Sequence, residues 1–213
     1  QTDDRRPEEV MLRALELLAP ARNADIGIAA IDCGADAVYI AGPGFGARHF
    51  AGNPVEEVRR LCEYAHRFGV RIFVTLNTIL YDSELPEARA MMRDLEDAGA
   101  DAFIVQDLAV KSFGARIPLH ASTQCSIRTP EDAAFYSGQG FSRLVLERQL
   151  TLEDIRKIHS STPAELEFFV HGALCVCYSG QCYMSEAVAG RSANRGECVQ
   201  ACRSLYDLVD SSG

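Results

Sequence analysis

CGADAVYI at 33–40 and AGADAFIV at 98–105 are two versions of one phrase: a helix end, a turning glycine, an aspartate and the entry into a strand. The glycine lets the backbone leave the helix, and the apolar run behind it suits a strand buried on both faces. A phrase used twice in one chain points to a strand–helix unit used repeatedly. Working outward from it, short β-rich runs recur at Glu16–Ala19, Ala37–Ile40, Arg71–Leu76, Ala102–Val105, Pro118–Ala121, Arg143–Glu147 and Glu167–Val170, with helical segments between most of them. Asn53 and Pro54 ahead of VEEVRRLCEYAHRFG read as an N-cap, a first-turn proline and acidic early residues, with a stop at Gly69. Thr129 with Pro130, and Thr151 to Asp154, open two further helices in the same way.

Seven such units with short connections imply a parallel sheet, because a right-handed crossover returns each strand beside the last. An eighth strand is expected at Leu205–Val209. That count favours an α/β fold of the TIM type, a (β/α) barrel, over an open doubly wound sheet, and no dinucleotide fingerprint is in frame. GPGFGAR at 42–48 is glycine-rich but reads as a turn before it reads as a phosphate loop. The expected organisation is an N-terminal extension at 1–14 and one barrel domain at 15–213 that includes a cysteine-rich segment at 172–204, with a further C-terminal region expected beyond this chain.

With 213 residues, 47% hydrophobic and 24% charged, the composition is that of one ordinary soluble domain. No apolar run approaches the ~20 residues of a membrane span and QTDDRRPEEV has no signal-peptide core, so a cytoplasmic protein with no membrane partner is expected. A net charge of -9 argues against non-specific coating of nucleic acid, which needs many phosphate-neutralising cations, and leaves small substrates or a shaped RNA site. Eight cysteines in a chain long enough to bury its own core argue against a disulfide scaffold. Cys33 and Cys62 fall in amphipathic stretches and read as small buried hydrophobes.

The other cysteines carry chemistry. Cys175, Cys182, Cys198 and Cys202 fall within 28 residues in FVHGALCVCYSGQCYMSEAVAGRSANRGECVQACR, and four thiolates within reach of one point complete a coordination shell for a soft metal or an iron-sulfur cluster. Their gaps of six, fifteen and three residues match a zinc ribbon poorly, so iron-sulfur ligation gains on zinc, and Cys177 is a fifth candidate. In a barrel the chemistry sits at the carboxyl ends of the strands, and here those ends are polar: Arg48 and His49, Thr75 and Asn77, Gln106 and Asp107, His120 with Ser122, Thr123 and Gln124, Glu147 with Arg148, and His171. His120, Glu147 and His171 are the candidates for proton transfer; Asn77, Gln106, Thr123, Gln124 and Arg148 are those for holding substrate. Asp107 reads equally well as a helix cap. Leaving the seventh strand, the cysteine-rich segment would roof this mouth.

ELEFFVHGALCVCYSGQCYMSEAVAGRSANRGECVQACR at 165–203 closely resembles the signature of the collagenase-like peptidase family numbered thirty-two in the unassigned class. The blocks at 16–48, 74–82 and 117–135 resemble the rest of that family's pattern. The resemblance implies an amino-terminal TIM-like barrel and, despite the peptidase label, hydroxylation of RNA or of an aromatic ring in several members. Those members carry a 4Fe-4S cluster and work without molecular oxygen, and prephenate is a hydroxyl source for some. RSANRGECVQACR followed by YDLVD is most similar to the branch acting on ribosomal RNA cytidine, ahead of the branch acting on tRNA uridine. By position, Cys175, Cys182 and Cys198 match the family's ligand cysteines, and the fourth ligand is either Cys202 or a residue beyond this chain. The resemblance thus implies an iron-sulfur-dependent RNA hydroxylase whose partners are RNA and a small carboxylate co-substrate, with Arg148, Arg191, Arg195 and Arg203 available to carboxylate or phosphate.

Two alternatives remain at this point. A peptidase would need a cysteine–histidine pair built from Cys125 or Cys177, since neither a zinc-protease helix motif nor a serine elbow is present. A noncatalytic metal-binding domain that docks on RNA is the other.

Overall fold

The computed structural model describes residues 15–47, 52–207 and 209–210; the expected extension at 1–14, and Arg48 and His49, lie outside the described residues. Seven strands, β1 (Leu18–Ala21), β2 (Ala37–Ala41), β3 (Arg71–Leu76), β4 (Ala102–Val105), β5 (Leu119–Ala121), β6 (Arg143–Val145) and β7 (Glu165–Glu167), form one sheet in chain order. Every pairing is parallel, with His120 of β5 registered between Ile104 of β4 and Arg143 of β6. The crossovers are α1 (Ala24–Asp32), α2 (Val55–Ala65), α3 (Leu85–Asp97), α4 (Pro130–Gly138) and α5 (Leu152–His159), while a 3-10 turn at Leu108–Phe113 links β4 to β5. A last helix, α6 (Met184–Ala189), lies in the cysteine-rich segment. Among the described residues no helix is long and apolar enough to cross a membrane.

Strand alternation sorts the apolar residues into two layers. Val38, Ile40, Ile72, Val74, Phe103, Val105, Leu144 and Leu146 belong to the large core shared with the helices. Ala37, Phe73, Ala102, Ile104 and Val145 form a second cluster on the inner face, joined by Leu18 of β1 and by Phe169 just past β7. A cluster that draws on both edge strands requires a curled sheet, as in a TIM-type barrel.

The helix starts follow from sequence chemistry. Thr129 and Thr151 form reciprocal capping boxes with Asp132 and Asp154, and Gly69 takes the left-handed conformation that ends the α2 region. Asn53 does not cap α2; its amide instead donates to the carbonyls of Arg22 and Ala41, tying two loops together, and Pro54 takes the cap position. The expected strand at Glu167–Val170 lies two residues earlier, because Glu165 pairs with Arg143 in register and the chain leaves the sheet after Glu167. The expected eighth strand is absent among the described residues. Leu205 and Tyr206 are exposed with no sheet beside them, and Leu208 lies outside the described residues. Cys62 is buried as expected, whereas Cys33 is exposed, since it follows Ile31 at the C-cap of α1 and leaves the core face.

Candidate active site

Two polar groups occupy the interior of the sheet. At the amino ends of the strands, buried Arg143 donates to Glu165 Oε2 at 2.6 Å and to Glu16 Oε1 at 2.6 Å and lies 3.5 Å from Glu167 Oε2; Arg71 pairs with Glu16 from the other side. Arg143 holds the Glu165 carboxyl below the usual carboxylate range, while burial pushes that of Glu167 up. His120 belongs to this group. Its ring meets Phe73 edge-on at 4.8 Å, its Nδ1 has no hydrogen-bond partner, and burial, reinforced by the Arg143 charge, lowers its pKa to about 3. It is a neutral imidazole near pH 7, which corrects the expectation of a proton carrier poised at the mouth.

At the carboxyl ends a second group is stitched from the loops. Asn77 accepts from Ala47 N at 2.8 Å and donates to Ser122 Oγ at 3.1 Å, which also accepts from Gln124 N. Gln106 donates to Gln124 O, leaving its own Oε1 buried without a partner, and Thr123 bonds Leu146 O. Asp107 is a cap and a brace, accepting from Ala109 N and Leu80 N. Glu147 is fully buried and accepts from Ser126 Oγ, Arg148 N, Ser179 Oγ at 3.2 Å and Ser179 N at 2.5 Å. Four donors on one carboxylate make it an anchor for the chain that crosses above it, not a free base. His171 is exposed where that chain leaves the sheet, so the three expected proton carriers do not converge.

The crossing chain runs from Gly172 to Ser204. Besides Ser179 it is held by Gly180, where an added Cβ would collide with Gln124 O, by Arg148 donating to Ala173 O, and by Arg195, which forks onto Glu84 at 2.6 and 2.9 Å and reaches Ile79 O. Arg203 donates to Leu174 O within the segment. Arg195 and Arg203 are thus engaged in holding the segment, not offered as free anion binders. All eight cysteines are free thiols. Arg148 reaches Cys175 Sγ at 3.9 Å, Cys198 Sγ accepts from Ser185 Oγ at 3.8 Å, and Cys202 is exposed on the 3-10 turn Ala201–Arg203. Desolvation raises the Cys177 pKa, with Cys182, to which it is hydrogen-bonded, and Cys175 adding to the effect. The donor chemistry, soft sulfurs in one segment with a cation beside one of them, fits a thiolate-held cluster. Among the described residues no three His, Cys, Asp or Glu side chains are arranged to hold a metal ion. Loading would require the cysteines of this segment to draw closer together.

Sequence reasoning missed Arg128, whose guanidinium lies 3.9 Å above the Tyr178 ring and whose buried Nε has no partner. It also missed Glu167 and the Ser126 and Ser179 hydroxyls on Glu147. The glycine of YSG at 178–180 was the available signal for a close approach of the segment. Two surface concavities of about 350 and 440 Å³ lie at the opposite rim, around Asp36, Phe68 and Val70, the first bordered by Glu16 and Arg71 of the amino-end group and both away from the carboxyl-end loops.

A parallel strand–helix sheet curled around a packed interior, with polar side chains gathered at its carboxyl ends, defines a TIM-like α/β protein. The chain belongs to peptidase family U32, whose pattern matches residues 22–213. It is 58% identical over 200 residues to the 23S rRNA 5-hydroxycytidine C2501 synthase of Escherichia coli, covering 93% of this chain and 31% of that protein. It is 34% identical over 211 residues to the tRNA hydroxylation protein P1 of Bacillus subtilis, covering 97% of this chain and 50% of that one. The chain therefore spans half or less of the length of these relatives. A solved U32 peptidase superposes with a TM-score of 0.63 at 15% identity, covering 76% of this chain and 72% of that one, which establishes the fold alone.

Proposed function

We propose that this chain is the barrel portion of an RNA hydroxylase acting on a pyrimidine base, ribosomal RNA cytidine ahead of tRNA uridine. The observation that carries the reading is the 58% identity to the cytidine-hydroxylating relative across nearly the whole chain, mouth and cysteine segment included. The geometry supports a polar ligand at the mouth: Gln106 Oε1, Arg128 Nε and Arg148 Nε are buried there without protein partners. Buried polar atoms of that kind call for an acceptor or donor from a bound molecule. A base edge answers Gln106, and the carboxylate of a small hydroxyl donor such as prephenate answers Arg148.

In this reading Cys175, Cys182 and Cys198, with Cys202 or a residue beyond this chain as fourth ligand, hold a 4Fe-4S cluster. When bound, the cluster would supply redox chemistry, while the hydroxyl donor held by Arg148 would supply the oxygen atom that molecular oxygen otherwise provides. Glu147 fixes Ser179 and with it the cysteine segment. His171 moves protons at the entrance, His120 offers a neutral hydrogen-bonding nitrogen inside the barrel, and Asn77, Thr123 and Gln124 shape the loops that meet the substrate. A ribosomal RNA substrate would put this work in the cytoplasm.

The peptidase alternative loses its best nucleophile. Desolvation drives the Cys125 thiol up to about 12, and its sulfur bonds the carbonyls of Val105 and Gln106, so it stays a thiol.

Mass spectrometry of ribosomal RNA from a strain lacking the gene, against one complemented with it, tests the reading. Loss of one hydroxylated cytidine that returns on complementation is expected; an unchanged set of hydroxylated bases in both ribosomal and transfer RNA overturns it. Anaerobically purified full-length protein should carry about four iron and four sulfide per chain, and zinc without sulfide would overturn the cluster assignment.

A further inference from the structure

Three arginines at the mouth sit over aromatic rings. Arg195 is 4.2 Å from the Tyr81 centroid, Arg128 is 3.9 Å from that of Tyr178, and Arg148 is 4.5 Å from that of Phe169. Two of these rings are open to solvent even so: Tyr81 is 60% and Tyr178 47% exposed. With a guanidinium over one face, the opposite face and the edge are the ring surfaces left to contribute to that exposure. Both stand on the carboxyl side of the sheet. Tyr81 sits in the loop after β3, and Tyr178 directly precedes the Ser179 that bonds Glu147 at the end of β6.

The arginines beneath are not mobile surface groups. Arg195 is locked by its fork onto Glu84 and its bond to Ile79 O, and Arg128 is held by burial of its Nε and by its seat over the Tyr178 ring. A fixed cation under an exposed phenol makes a rigid platform with one free π-face, the arrangement on which unpaired bases stack. We propose that Tyr81 and Tyr178 are stacking platforms for unpaired nucleotides of an RNA substrate next to the base taken into the mouth. The proposal rests on the RNA reading above and assigns its contact residues.

The charge of the chain gives the proposal a quantitative edge. At -9 overall this chain is poorly suited to neutralising many phosphates, so its own contribution to binding, made through ring faces, should show a shallow salt dependence. The test is a fluorescence titration of purified full-length protein with a single-stranded pyrimidine-rich oligoribonucleotide carrying one 2-aminopurine. Wild-type protein and the Tyr81→Phe and Tyr178→Phe variants are expected to bind alike and to quench the probe. Tyr81→Leu and Tyr178→Leu should each bind about tenfold more weakly with quenching reduced. Phenylalanine keeps both the ring face and its arginine, so agreement with wild type shows that the phenolic hydroxyl is not needed, while 2-aminopurine quenching, which a mere tether of the segment would not produce, reads the stack itself. Folded leucine variants that bind and quench like wild type overturn the platforms and leave the RNA reading standing. Wild-type protein that binds no RNA overturns the RNA reading itself.

Discussion

Every residue of β4, Ala102–Val105, is buried, whereas Cys175, Cys177, Cys198 and Cys202 are exposed and the segment carrying them meets the sheet mainly through directional contacts. Burial of apolar area is non-directional and spread over many residues, so the barrel tolerates the loss of any one contact. The segment depends on a buried carboxylate, one glycine and one guanidinium fork. Docking of the segment and stability of the curled sheet should therefore be separable by single substitutions.

The largest effect is expected from protons entering the lumen. His120 is held neutral with its pKa lowered to about 3 from an ordinary 6.5, by burial first and then by Arg143 and Arg71, with Glu165 opposing. The unfolded chain binds the proton that the folded chain refuses. The stabilisation is therefore fully present above pH 6.5 and is lost as pH falls from there toward 3, by as much as ~5 kcal/mol. Urea melts between pH 6.5 and 5.5, above the ordinary carboxylate range, should show a steeper loss in wild type than in His120→Gln. Equal slopes would mean that water already reaches the lumen.

Gly180→Ala is the next largest, and it should fall on the segment alone. Gly180 has a φ of +73° and its missing Cβ leaves room for Gln124 O, so alanine adds backbone strain and a clash with a carbonyl that cannot yield. A cost of about 2–3 kcal/mol is expected in docking. It should be read as faster hydrogen exchange at the Ser179 amide, which Glu147 Oε1 accepts at 2.5 Å, and as early proteolysis within 172–204. A fall in the barrel's own melting temperature of the same size would show that the two regions unfold as one.

Most strands, to within two residues, and the threonine caps were legible because they rest on local chemistry, while the expected Asn53 cap and eighth strand are absent among the described residues. The Gly-Ala-Asp phrase, the Thr–Asp capping boxes and the buried apolar runs each decide their own element within a few residues. What sequence could not show was long-range pairing. Glu147 looks like any strand-end carboxylate until Ser126 and Ser179 are brought to it from 21 and 32 positions away. His120 reads as a mouth residue until strand alternation turns it toward Phe73 and Arg143. The cysteine cluster is the opposite case: its density is visible in the sequence, while its closure depends on loops that single-residue patterns do not describe.

The smallest effect tests whether the mouth's arginines are structural parts. Arg195 joins the segment to the loop after β3 through Glu84 and Ile79 O, and it holds the Glu84 carboxyl below the ordinary range. Both side chains keep about a quarter of their surface in solvent, at 25% and 23%, so screening limits the pair to roughly 1 kcal/mol. The Ile79 amide, which donates to Asn194 O, reports this junction directly. Arg195→Ala should speed its exchange about fivefold without altering Ser179, because the two anchors hold different stretches of the segment. Arg195→Lys should recover only part of the protection, since an ammonium keeps the charge but not the planar fork or the stack on Tyr81. Full recovery by lysine would reduce the junction to simple charge, and the rigid floor under Tyr81 would go with it.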